Sequence, residues 1–303
     1  MAWRTLFMTR PGYLSLKQAS LCIRQQDDEV HVSLEDIAAI VLDNSQLVLT
    51  AQLLSALSQR NIALMTVDDT HIPNGILLGY LPHSRAVKVM RRQLAMGKAQ
   101  KKRLWQDITR QKLLNQASIL KRLSADSEAN LLETMSFKVK SGDPDNYEAQ
   151  ASQTYFKTLF GKGFVRRKDN LINAALNYGY SIVRSLIARH LVGYGFLPAL
   201  GLHHCSEQNA FNLADDLIEP YRPHIDFEVI QLIQHIEIET KELTTTLKAS
   251  LVQILHKDIV RLEKGQELGK SSLIALVEAT VISLTQRLSD QKTTLVLPGE
   301  VSK

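Results

Sequence analysis

Residues 201–223, GLHHCSEQNAFNLADDLIEPYRP, set two adjacent histidines just upstream of three carboxylates, Asp215, Asp216 and Glu219. On a helical wheel Leu213, Ala214, Leu217, Ile218 and Tyr221 share one arc, and the acids occupy the neighbouring one. Asp216 and Glu219, at i and i+3, are close enough to grip one ion; Asp215 with Glu219, at i and i+4, is the competing pair. Carboxylates held that close repel unless a cation or a proton lies between them. His204 adds an imidazole, and imidazole with carboxylates is a common ligand set for Mn²⁺, Mg²⁺ or Zn²⁺. A solvated acidic face would account for the acids. It would not account for the histidines, or for the apolar run GYGFLPALGL that delivers them.

A second acid stands in SGDPDNYEAQASQTYFKTLFG, residues 141–161. Asp143 is placed to cap a helix whose first turn starts at Pro144. Glu148 then shares a stripe with Ala151, Ser152, Tyr155 and Leu159, where a lone buried charge is costly. It therefore lies at the stripe's edge in water, or it points at a cation. Downstream, Arg166, Arg167 and Lys168 crowd the start of a helix that carries Asn173 and Asn177 on one face. Cationic groups beside a carboxylate–histidine cluster suit phosphodiester chemistry, where they steady transition-state charge. Cys205 has no cysteine at zinc-site spacing, and Cys22 is remote.

The elements that must position these groups fall into two kinds. RTLFMT, YLSLK, SLCIRQ, EVHVSL and IAAIVLD are short β-rich runs, punctuated by RPG, QQDD and LDNS. A helix over 50–59 and a further apolar run, IALMTVD, complete a β-rich domain over residues 1–78. GYLPHSR supplies a linker, 79–85, and from residue 86 to 303 the apolar spacing is helical, with a loosely ordered tail after Ser289. The expected class is α+β: a small β-rich N-terminal domain followed by a larger all-helical domain.

At 303 residues and 45% apolar composition the chain can bury a full core. No stretch has the length of a membrane span and none reads as a signal peptide, and two cysteines suit a reducing compartment, so the expected location is cytoplasmic. Net charge is +5, and its distribution says more. Between Arg85 and Lys112 ten Lys or Arg stand against one acid, Asp107, with apolar residues interleaved. Such a folded basic run is either a solvated helix face or a surface for phosphates.

Taken together, NYEAQASQTYF, RRKDNLINAALNYGYSIVRS, GFLPALGLHH and NLADDLIEPYRP resemble the CRISPR-associated endonuclease/integrase family, the larger subunit of the spacer-acquisition complex. The opening AWRT and the length look most like members from type II systems. The resemblance implies catalytic metal ligands at Glu148, His204, Asp216 and Glu219, with His204 filling the last place of Gly201-Leu202-His203-His204 and Asp215 supporting from behind. In many relatives the last acid is aspartate; Glu219 reaches about one methylene further. The cofactor implied is Mg²⁺ or Mn²⁺. Implied partners are double-stranded DNA, a second copy of the chain paired through the β-rich domains, and a small second adaptation subunit completing a heterohexamer. The RNA-guided effector nuclease is a further candidate, and no membrane is involved. The implied reaction is 3′-hydroxyl transesterification that inserts foreign DNA as new spacers. The alternatives are a metal-dependent DNA nuclease without integration, and a non-catalytic DNA-binding scaffold. Candidate DNA contacts are Arg85, Arg91, Arg92, Lys101, Lys102, Arg103, Arg166 and Arg167.

Overall fold

The computed structural model describes residues 4–69, 71, 73–79, 85–234 and 243–300. Most of the expected linker, residues 80–84, lies outside them.

The N-terminal half contains β1 (Arg4–Met8), β2 (Gly12–Lys17), β3 (Ser20–Gln25), β4 (Asp28–Ser33), β5 (Ile37–Leu42), β6 (Leu47–Leu49), α1 (Ala51–Gln59), β7 (Ala63–Val67) and β8 (Pro73–Leu77). They form two four-stranded sheets, β1-β5-β7-β8 and β4-β3-β2-β6. In the first, β1, β5 and β7 run parallel and β8 is an antiparallel edge. In the second, β2, β3 and β4 form a meander and β6 joins β2 in parallel. Leu14, Leu21, Ile37, Ile40, Leu53 and Leu57 fill the space between the sheets and α1. α1 starts where Thr50 accepts a hydrogen bond from the Leu53 amide, 3.2 Å. β6 and β8 went unread in the sequence for physical reasons. The first is three residues long; the second, PNGIL, carries a proline and a glycine. Gly75 is needed there, since a Cβ would meet the Thr66 hydroxyl at 2.4 Å on the neighbouring strand.

The helical half runs α2 (Ala86–Leu94), α3 (Lys98–Arg122), α4 (Asp126–Lys138), α5 (Tyr147–Phe160), α6 (Leu171–Gly193), α7 (Asn212–Ile218), a 3-10 turn (Glu219–Tyr221), α8 (Arg222–Gln234) and α9 (Thr245–Val252). α3 spans 25 residues, about 37 Å at 1.5 Å per residue, and is buried along most of its second half. α6 lies against α7, α8 and α9. One core joins the halves: Ala39, Val41, Ala63 and Met65 of the first sheet share a cluster with Trp105, Leu186 and Leu191.

The C-terminal half is not purely helical, contrary to the expectation. β9 (Asp258–Glu263) and β10 (Gln266–Ser272) form a hairpin, and after α10 (Leu273–Arg287) the chain returns as β11 (Val296–Pro298) on the other side of β9. The hairpin turn is Lys264-Gly265, with φ of 53° and 75°, the two positive values that a two-residue turn of this hand demands. The tail after Ser289 is correspondingly ordered up to residue 300, with Leu295 and Leu297 buried. Among the described residues no helix is long and apolar enough to cross a membrane.

Candidate active site

Four pieces of chain meet along α3. Lys101, Trp105, Ile108 and Lys112 follow one another at spacings of four, three and four, so one stripe of the helix faces the site. The Lys101 ammonium donates to the Gly201 carbonyl, 3.2 Å, and the Trp105 ring stacks on His203 at 4.2 Å and meets His204 edge-on at 5.7 Å. The loop 197–204 is further fixed by Gln93 of α2, whose side chain donates to the Leu197 and Leu200 carbonyls and accepts from the Leu197 amide.

Asp216 closes that loop from below. It is fully buried, and its carboxylate accepts from the backbone amides of Leu202, His203 and His204 and pairs with His204 Nδ1 at 2.8 Å. The Asp216 hydrogen bond, opposed by burial, raises the His204 pKa above the ordinary imidazole value. With Nδ1 held, Nε2 is the ring nitrogen left for another partner. Gly201 permits this wrap: a Cβ there would meet the His204 carbonyl at 2.2 Å and an Asp216 oxygen at 2.8 Å. Asp215 turns the other way, to Arg184 at 2.5 Å and Asn209.

Glu219 belongs to a different cluster. α7 gives way to the 3-10 turn at this residue, and Pro220 lacks the amide an α-helix would need there. Asn115 of α3 donates to the Pro220 carbonyl, 2.8 Å, and fixes the turn. Glu219 Oε2 accepts from Lys112 Nζ at 2.6 Å, and Oε1 from Arg222 Nε at 2.8 Å. Burial alone would raise the Glu219 pKa; Arg222 and Lys112 outweigh it and hold the carboxyl at about 2. The same Lys112 ammonium donates to Glu148 on α5, which also accepts from Ser152. Burial works against the charge on Lys112, but Glu219 and Glu148 prevail and raise its pKa.

α5 starts later than the sequence suggested, at Tyr147 rather than Pro144. Asp143 still supplies the cap, accepting from the amides of Tyr147 and Glu148 at 3.0 and 2.9 Å. Behind the site, Arg222 lies 4.4 Å over the Tyr180 ring, and the Tyr180 hydroxyl donates to Asp226. Burial pushes the Asp226 carboxyl up to about 6, against the hydrogen bond from Tyr180.

The structure thus brings Glu148 and Glu219 onto one cation and joins His204 to Asp216; Asp216 and Glu219 share no partner despite their i, i+3 spacing. Lys112 and Arg222 are the residues that sequence reading missed. Lys112 was visible only as one more charge in the basic run. Its position on the apolar stripe of α3 was the signal that set it apart. Among the described residues, the His/Cys/Asp/Glu ligand trio whose atoms already lie within 4.8 Å of one another is elsewhere, at Cys22, Glu29 and His31 on β3 and β4. Lys17 and Arg24 already neutralise Glu29 there.

Of the candidate DNA contacts, Arg85, Arg91, Lys102, Arg103 and Arg167 are exposed. Arg92, Lys101 and Arg166 bond within the protein: Arg92 to Ser289, Lys101 to Gly201, Arg166 to Asn173 and Asn177 at 2.9 Å each.

The sequence model of the family described as CRISPR associated protein Cas1 matches residues 6–261. The chain is 42% identical over 291 residues to the CRISPR-associated endonuclease Cas1 of Neisseria meningitidis serogroup C, covering 96% of this chain and 94% of that one. A second relative, the CRISPR-associated endonuclease Cas1 2 of Saccharolobus solfataricus, is 24% identical over 95% of this chain and 96% of its own. Among solved structures, a casposase bound to integration product superposes with a TM-score of 0.76 at 20% identity, covering 96% and 92% of the two chains. A Cas1 protein from Thermotoga maritima gives 0.74 at 16% identity over 96% and 99%.

Proposed function

Because the chain belongs to the Cas1 family of CRISPR-associated proteins, we propose that it is a divalent-metal-dependent DNA endonuclease/integrase that inserts foreign DNA fragments as new spacers into a CRISPR array. The observation that carries this reading is the convergence of Glu148 and Glu219, from α5 and from the turn after α7, on a single buried cationic point. Two carboxylates with a neighbouring imidazole fit Mn²⁺ or Mg²⁺ in donor type. We assign the ligands as Glu148, His204 and Glu219. Asp216, its oxygens engaged by three amides and by His204 Nδ1, orients the imidazole instead. When bound, the ion lowers the pKa of the attacking 3′-hydroxyl and offsets charge developing on the phosphate. Trp105 and Lys101 hold the histidine loop against α3, the helix that also carries Lys112. The exposed Lys102, Arg103 and Arg167 serve the DNA backbone, so affinity falls as salt rises.

The N-terminal half is the surface on which a second copy docks: the open face of β4-β3-β2-β6 exposes Tyr13 and Val48. The small second adaptation subunit is the other proposed partner; a structure named as a Cas6-RT-Cas1–Cas2 complex matches this chain at a TM-score of 0.72 and 20% identity, over 35% of its own chain. An association with the effector nuclease is a further proposal of the same reading, and cytoplasmic location follows from it.

The test combines the purified chain, the small partner subunit, a duplex with free 3′-hydroxyls, a supercoiled repeat-bearing plasmid and Mn²⁺. Joined product is expected, and it should vanish in Glu148→Ala, His204→Ala and Glu219→Ala while DNA binding persists. Cleavage without joining would favour the plain nuclease. Joining retained in all three variants would refute the site.

A further inference from the structure

The Lys112 side chain is nearly inaccessible to solvent, and its ammonium spans Glu148 Oε1 and Glu219 Oε2, one oxygen of each glutamate assigned above as a ligand. Two oxygens hydrogen-bonded to one nitrogen lie within about 6 Å of each other. An ion with metal–oxygen bonds of about 2.0–2.2 Å would need the same midpoint, so ion and ammonium exclude one another.

We propose that Lys112 is the resident counter-ion of this site: its ammonium holds Glu148 and Glu219 together when no divalent ion is bound, and the ion must displace it to bind. The inference rests on the ligand assignment proposed above. Charge balance supports it. Glu148, Glu219 and Asp216 carry three negative charges, and Lys112 and Arg222 carry two positive ones. With His204 binding as a neutral imidazole, a divalent ion leaves an excess of one positive charge, which withdrawal of one cation removes. Arg222 is poorly placed to leave, with its guanidinium on the Tyr180 ring and its Nε on Glu219. Lys112 reaches the site through a flexible four-carbon stem, and its contacts there are charge contacts with the two carboxylates that the ion would take over. Without the ammonium, the two carboxylates repel in a buried setting. Lys112 is thus a positioning residue: it preserves the carboxylate geometry in the empty site and sets how tightly the ion is held.

The test is Mn²⁺ affinity by titration of the paramagnetic signal, together with melting in EDTA and in Mn²⁺, for the full-length wild type, Lys112→Met, Lys112→Gln and Glu148→Gln. The expected result is that Lys112→Met binds Mn²⁺ at least about tenfold more tightly than wild type, because a like charge has left the ion's neighbourhood. It should also melt lower than wild type in EDTA and gain more from Mn²⁺. Loss of packing alone does not tighten a metal site. If Lys112→Met folds only with Mn²⁺, that supports the proposal, and Lys112→Gln, which keeps a hydrogen-bond donor without charge, provides the affinity. Unchanged or weaker Mn²⁺ binding in both Lys112 variants, or failure of both to fold at saturating Mn²⁺, overturns it. Wild type that binds no Mn²⁺, or Glu148→Gln that binds it as wild type does, brings down the ligand assignment itself.

Discussion

Glu29 and Glu219 are both held at a pKa of about 2, and they arrive there by opposite routes. Glu29 stands in solvent on β4, where hydrogen bonds from Lys17, His31 and Arg24 favour its charge. Glu219 is buried, burial opposes its charge, and Arg222 and Lys112 are required to reverse that effect. In water such partners are interchangeable and screened. Inside the protein they are obligatory, because removal of one strands a charge in a low-dielectric interior. A depressed pKa alone therefore does not mark a site. What marks this one is that Glu219 and Lys112 are buried and that the carboxylates come from distant segments.

The largest stability effect is expected for Arg222→Met, which deprives the buried Glu219 of one of its two cationic partners. A loss of about 3–5 kcal/mol is expected in urea unfolding at neutral pH, and a loss under about 1 kcal/mol would show that Glu219 is better solvated than described. Next comes Asp226→Asn. The Asp226 carboxyl is held at about 6 against 3.8 as its ordinary value, so the folded state binds its proton more tightly than the unfolded state does. Its stabilising contribution is complete below about pH 4 and is lost as pH rises through 6. At pH 8 the variant should be more stable than wild type by roughly 2–3 kcal/mol, with a flatter profile between pH 4 and 6. A profile unchanged by the substitution would mean that Asp226 titrates normally. Glu219 has the opposite sign: its contribution is present above its ordinary value of 4.5 and fades as pH falls towards 2. Glu29→Gln should change least, because solvent screens the exposed pairs around it. A loss comparable to that of Arg222→Met would erase the distinction between the two clusters.

Much of this was legible in the sequence, and the gaps have physical causes. Short β-rich runs, several of them alternating, and turn punctuation marked β1 to β5 and β7; β5 is buried along its whole length, so its run IAAIVL is continuously apolar. The β9–β10 hairpin was hidden because DIVRLE, following a helix, can continue a helical pattern. Only the positive φ at Lys264 and Gly265 turns it into a strand pair. In the site, residue types and order pointed to Glu148, His204 and the acids near 216–219. How those acids divide was not legible. Helical spacing puts Asp216 and Glu219 on one arc, whereas the 3-10 turn at Pro220 sends them to separate partners. Lys112 was concealed by neighbours of like charge; its place on the stripe of Trp105 and Ile108, and the burial that follows from it, distinguish it from Lys102 and Arg103.

On the proposed assignment, Glu148, His204 and Glu219 share one divalent ion while Asp216 stays on the histidine loop. Anomalous diffraction at the manganese edge from Mn²⁺-soaked crystals tests it directly. The expected result is a peak bonded to both glutamates and to His204 Nε2, with the Lys112 ammonium moved away. A peak on Asp216, or one at Cys22, Glu29 and His31 with none between the glutamates, would contradict it.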